Sequence, residues 1–229
     1  LRSGDHSAVT DSQNRSLEFA MMLTVPAAVA IAVMPTQIVS VLFERGAFVA
    51  ADTASTAAVL ALFALGLPAF VMIKVFSPAY FAREDTKTPM QYATISLIAN
   101  TLGSILLFFV FRALGQAPEL GSAIATSLGG WLNAWLLWTT LKKRGDFEID
   151  QRFKRNIPLI LLASLILAGV RYAALSILEP YLSRQHGFLV QSGALGLLVV
   201  IGMVTFGLVS LITGVMSPAQ IKRFRRRAG

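Results

Sequence analysis

Five stretches of this sequence contain no Asp, Glu, Lys or Arg: residues 19–43, 53–73, 88–111, 120–141 and 185–221. A sixth, 156–178, is broken only by Arg171. No other feature constrains the fold as strongly. Crossing the hydrocarbon core of a bilayer as a helix takes about 20 mostly apolar residues. Six runs therefore give six spans, at approximately 17–43, 54–82, 88–111, 120–141, 156–178 and 188–216, with Lys74 inside the second. Their apolar residues are continuous rather than alternating, which excludes a closed β-barrel. The chain is 14% charged, whereas a soluble domain carries about 25%. The fold class is all-α, a polytopic membrane protein of six transmembrane helices.

The net charge of +8 is unevenly placed. The N-terminal stretch, the 83–87 loop, the 142–155 loop and the 218–229 tail hold 15 Lys and Arg, and the alternate loops around Arg45, Arg112 and Arg184 hold 3. This is the positive-inside bias, and it predicts that both ends lie in the cytoplasm. The tail KRFRRR (222–227) suits an anionic lipid surface better than nucleic acid. The predicted organisation is a loop at 1–16, four helices over 17–141, a basic loop at 142–156, an appended helix pair over 157–216 and a basic tail at 217–229. The opening stretch LRSGDHSAVTDSQNRS reads as an interior loop of a longer chain.

Several spans are built to bend or to pack closely. Pro26 and Pro35 fall in the first, and Gly66, Pro68 and Pro78 in the second. Proline removes a helix hydrogen bond, which membranes tolerate where neighbours or a cavity satisfy the freed carbonyl. Moving elements and static kinks both fit. Ser122, Thr126, Gly129 and Gly130 give the fourth span a small-residue face for close helix approach. Trp131, Trp135 and Trp138 follow at helical spacing, as lipid-facing or packing aromatics rather than a binding box.

No enzyme constellation is present: no paired-carboxylate motif on a span, no Gly-rich phosphate loop and no nucleophile elbow. With no Cys, and His6 and His186 in different loops, a transition-metal site is not expected. Ionisable residues at membrane depth are costly and mark function. Lys74 lies nine residues before Arg83, about 13 Å of helical rise from the inner boundary. It either faces a water-filled cavity or snorkels. Arg171 sits seven residues from the outer end of its span, close enough to snorkel. Asn100 and Ser104 share a face of the third span at i, i+4, with Thr126 of the fourth at similar depth. Those three oxygen-bearing side chains suit either part of a small-cation site or interhelical hydrogen bonding.

The segment YFAREDTKTP (80–89) packs Arg83, Glu84, Asp85 and Lys87 into a short inner loop ahead of Thr88-Pro89. Proline fits the first turn of a helix, and acidic residues ahead of it suit the helix dipole. The loop reads as an ion-paired hinge, with a charged gate as one use.

The run GLPAFVMIKVFSPAYFAREDTKTP (66–89), preceded by LFERGAF (42–48), resembles the MurJ/MviN family of lipid II flippases, within the multidrug/oligosaccharidyl-lipid/polysaccharide exporter superfamily. The resemblance covers essentially the whole chain, as the C-terminal part of a fourteen-helix protein. It implies a two-lobe exporter fold that moves an undecaprenyl-linked peptidoglycan precursor from the inner to the outer leaflet by alternating access. It further implies the bacterial cytoplasmic membrane, the remaining N-terminal helices as partner, and a lipid-tail groove in the last two helices. Lys74, Arg83, Glu84, Asp85 and Lys87 match a family motif, and Glu44 and Arg45 its outer loop, as substrate-cavity or gate residues. Asn100, Ser104 and Thr126 would hold a monovalent coupling cation, although Ser104 stands where Asn or Asp is expected. No other cofactor is implied. The rival readings are another exporter of the superfamily, for a drug or polysaccharide-lipid, and a non-transporting membrane scaffold.

Overall fold

The computed structural model describes residues 3–182 and 187–215, and these are helical apart from short connections. The elements are α1 (Ser3–Val33), α2 (Pro35–Phe43), α3 (Ala50–Phe81), α4 (Lys87–Ala113), α5 (Pro118–Lys143), α6 (Gln151–Leu182) and α7 (Phe188–Ile212). The basic tail and the loop around Arg184 and His186 lie outside the described residues.

Three boundaries differ from expectation. The stretch 1–16, expected as a loop, is helical from Ser3. Its polar residues find partners: Asn14 donates to the carbonyl of Glu148 at 2.7 Å, and Ser16 donates to Ser12 within the helix. The expected first span, 17–43, is two helices. Pro26 is absorbed within α1, but at Met34 (φ −135°, ψ 45°) the helix breaks, and Pro35 opens α2. The sequence after the fourth span also turns helical sooner, at Gln151 rather than after 156.

Among the described residues, five helices are long and apolar enough to cross a membrane: Thr10–Val33, Ala50–Phe81, Lys87–Ala113, Gln151–Leu182 and Phe188–Ile212. The expected fourth span, α5, falls short by composition. Its Gly, Ser, Thr, Asn and Trp residues lower its hydropathy; its small residues pack against α3 and α4, while Leu128 and Trp135 stay exposed.

The helices pack in the order α4, α5, α3, α1, α6, α7, with α2 bridging α3 and α7. Small residues set the α4–α5 and α3–α5 contacts. A Cβ at Gly121 would meet the Leu107 carbonyl carbon at 2.6 Å, and one at Gly130 would meet the Phe70 ring at 2.8 Å. Close backbone approach of this kind is how membrane helices gain packing where water supplies no driving force. The hydrophobic core lies where α1, α3, α5 and α6 meet, around Leu17, Met21, Phe76, Tyr80, Leu137, Phe153 and Ile160. Phe147 of the α5–α6 loop is fully buried there, edge-on to Phe76 at 5.5 Å. By contrast α4 buries little, and Leu97, Leu102, Leu106 and Phe109 stand exposed along it.

Pro68 of α3 lies between two hydrogen bonds from α5. Pro68 removes the donor due to the Ala64 carbonyl. On either side Ser127 donates to the Leu62 carbonyl at 2.8 Å and Trp131 Nε1 to that of Leu65 at 3.0 Å. Trp131 thus packs with its polar tip satisfied by a neighbouring helix.

Candidate functional site: the charged end of the helix bundle

The turn between α3 and α4 is built tightly. Glu84 adopts φ 58°, in the left-handed region, and the Asp85 N–H reaches back to the Tyr80 carbonyl at 3.1 Å. The Asp85 carboxylate then accepts from the Thr88 N–H at 2.9 Å and the Thr88 hydroxyl at 2.7 Å. It therefore caps the first turn of α4, where helix N–H groups lack partners. Pro89 follows where a missing N–H costs nothing.

The charges of this turn do not pair with one another. Arg83 bridges to Asp146 at 3.0 Å, and Asp85 to Arg144 at 2.7 Å, both on the α5–α6 loop. Arg144 also donates to the Thr88 hydroxyl at 3.2 Å and lies 5.5 Å over the Tyr80 ring. The Thr88 N–H and the Arg144 guanidinium hold the Asp85 carboxyl down at about 2, from an ordinary 3.8. Reciprocally, Asp85 raises the Arg144 guanidinium above its ordinary value. Glu84 and Lys87 are exposed and form no ion pair among the described residues.

The same loop is fastened to α1. The Asp150 N–H donates to Asn14 at 3.3 Å. Glu18, 6% exposed, accepts from Asn156 at 2.6 Å and pairs with Arg152 at 3.2 Å. One end of the bundle is thus a continuous polar clamp joining α1, the α3–α4 turn, the α5–α6 loop and α6. Sequence reasoning missed Asn14, Glu18, Arg144, Asp146 and Asn156 as a set. Glu18 and Asn156 carried a signal, each being a strongly polar residue at the edge of an apolar run.

Lys74 lies apart from this clamp. It is exposed on α3, one turn before Pro78, and makes no ion pair among the described residues. Arg171 corrects an expectation: rather than snorkelling, it is buried at 2% exposure and donates to the Met34 sulfur. A guanidinium packed between three helices has no path to the interface.

At the opposite end of the bundle, Glu44 accepts from the Thr53 hydroxyl at 2.9 Å. Arg45 donates to the Val41 carbonyl at 2.7 Å and stacks 3.9 Å over Phe188 at the start of α7. Ser55 donates to Glu119 at 3.0 Å. Within the span region Asn100, Ser104 and Thr126 do meet. The Asn100 Oδ1 accepts from both hydroxyls at 3.2 Å, and Thr126 also reaches the Ser122 carbonyl at 2.9 Å. The group offers three neutral oxygens and no carboxylate, an incomplete shell for a cation by itself.

Residues 1–192 match the model of the family described as "Lipid II flippase MurJ". The chain is 40% identical over 227 residues to a probable lipid II flippase MurJ of Rhizobium tropici, covering 99% of this chain and 42% of that protein. A probable lipid II flippase MurJ of Rhizobium meliloti (strain 1021) is 39% identical, with 99% and 41% covered. A solved structure, of lipid II flippase MurJ in an inward closed conformation, superposes with a TM-score of 0.65 at 28% identity, over 92% of this chain and 40% of that one. The chain spans about two fifths of the length of these relatives.

Proposed function

This chain belongs to the lipid II flippase MurJ family, and we propose that it forms the C-terminal part of a transporter moving a lipid-linked peptidoglycan precursor across the bacterial cytoplasmic membrane. The family is one of transporters rather than enzymes. Neither the drug-exporter nor the scaffold alternative is favoured by its relatives. In this reading the clamped bundle is most of one lobe, rocking against helices N-terminal to it.

The observation that carries the reading is the position of Lys74. Among the clamped charges at the basic end, salt bridges are made within the chain, yet Lys74 stands exposed one turn before Pro78 inside a candidate span, with no ion pair among the described residues. A cation at membrane depth is retained where it meets water, an anion or another part of the protein. Facing a cavity shared with the rest of the transporter, it would attract the precursor's diphosphate.

Alternating access requires α5 to cross the membrane as a sixth span. At 26 residues it is about 39 Å long. Its two ends also touch the two ends of α3, a candidate span, through Ser55–Glu119 and Asp85–Arg144. The basic end would lie in the cytoplasm. There Arg83 and Asp85 hold the lobe together, while Glu84 and Lys87 are free to meet the opposite lobe as a gate. Asn100, Ser104 and Thr126 would contribute oxygens to a monovalent coupling cation. Loss of sodium dependence in Thr126→Ala would support that part.

A chimera tests the assignment. The corresponding segment of the Rhizobium tropici relative is replaced by this chain, and translocation of lipid-linked precursor is measured in vesicles. Translocation above that of the relative lacking the segment supports the reading. A chimera that reaches the membrane at normal level and moves no precursor contradicts it.

A further inference from the structure

Arg171 has no part in the proposed transport path, yet it is the most heavily buried charge in a candidate span. Its guanidinium forms no ion pair with a described carboxylate, and its Nε has no hydrogen-bond partner. The position is built to hold it. On α7 a Cβ at Gly202 would meet the Arg171 Cδ at 3.3 Å, so the glycine leaves room for the side chain. A cation kept in such a place needs negative potential from its surroundings.

The break in the first span lies beside that guanidinium, at Met34. α1 ends at Val33, Met34 is non-helical, and Pro35 has no N–H. Pro35 therefore cannot donate to the Ile31 carbonyl, and the last carbonyls of a helix form the negative end of its dipole. Met34 is both the residue at the break and the side chain that the guanidinium touches. We propose that Arg171 is the cationic cap of the interrupted first span, a positioning residue that fixes the angle between α1 and α2.

The consequence lies at the far end of α2. That helix leads directly into Glu44 and Arg45, and Arg45 stacks on Phe188 of α7. Fixing the α1–α2 angle sets where this loop sits against the helix pair. Arg171 therefore ties the loop to α6 and α7 from inside the membrane, whatever cargo the transporter carries.

Spin labels at Leu23 on α1 and Leu42 on α2, both exposed, report the angle in a full-length transporter carrying this segment in bilayers. Arg171→Met keeps most of the volume and removes the charge; Arg171→Lys keeps the charge. The expected result is a distance distribution that broadens and shifts in Arg171→Met and stays at the parent distance in Arg171→Lys. Adding Pro35→Ala to Arg171→Met restores the missing N–H and narrows the distribution again. An unchanged distribution in Arg171→Met, equal broadening in both Arg171 variants, or no narrowing with Pro35→Ala overturns the proposal. If Arg171→Met does not accumulate in membranes, Arg171→Lys decides: the parent distance supports the cap and a broadened one overturns it.

Discussion

The Arg144 guanidinium donates to the Asp85 carboxylate across 2.7 Å, and this contact joins the α3–α4 turn to the α5–α6 loop. Asp85 does two things at once, since the same carboxylate caps α4 through Thr88. Its folded value of about 2 lies below the ordinary 3.8. The stability it contributes is therefore complete above the ordinary value and is lost as pH falls through about 2. The latch is not a sensor of physiological pH. Spin labels at the exposed Lys87 and Lys143 should keep one distance between about pH 5 and 8. Asp85→Asn should lengthen or broaden that distance at neutral pH.

Glu18 ties α1 to α6 by accepting from Asn156 and pairing with Arg152. Glu18→Ala leaves a buried amide without its acceptor, which costs about 1–3 kcal/mol. The expected outcome is a lower thermal midpoint in detergent, with Glu18→Gln intermediate because its carbonyl still accepts from Asn156. An unchanged midpoint in Glu18→Ala would mean that the clamp does not hold the helices.

Glycines separate by what surrounds them. Gly121→Ala drives a methyl into the Leu107 backbone, and overpacking of this kind costs about 1–3 kcal/mol. Gly193→Ala meets nothing within 4 Å in α7, and should be neutral or stabilising by up to about 1 kcal/mol from helix propensity. Thermal midpoints of the two variants, measured side by side, check the contrast.

Topology is testable with single cysteines, because this segment contains none of its own. Lys143→Cys should be labelled only from the cytoplasm and Gln116→Cys only from outside. Both positions are exposed and lie at opposite ends of α5. Labelling of both from one side would mean that α5 does not cross.

The sequence made the helices legible because lipid demands long uncharged runs, and the Asn100–Ser104–Thr126 meeting because i, i+4 spacing and shared depth bring such residues together. It also marked the α3–α4 turn as ion-paired, with its own charges or the opposite lobe as partners, whereas the partners lie on the α5–α6 loop. Arg83 and Asp85 reach Asp146 and Arg144, some sixty positions away, and no local pattern encodes that pairing. Arg171 was misread for a related reason. Distance to a span's end predicts snorkelling only if the side chain faces lipid, and which face of α6 is covered depends on where α1, α2 and α7 pack. The hydropathy of α5 shows the converse: the small and polar residues that pack it against α3 and α4 make it less apolar.

Lys74 is where the account is most exposed to test. In a full-length transporter carrying this segment, translocation of lipid-linked precursor is compared among the parent, Lys74→Ala and Lys74→Arg at matched membrane levels. A cavity cation that attracts a diphosphate predicts a marked loss in Lys74→Ala and substantial retention in Lys74→Arg. Full translocation by both variants would contradict it, leaving Lys74 as a side chain that merely reaches for the membrane surface.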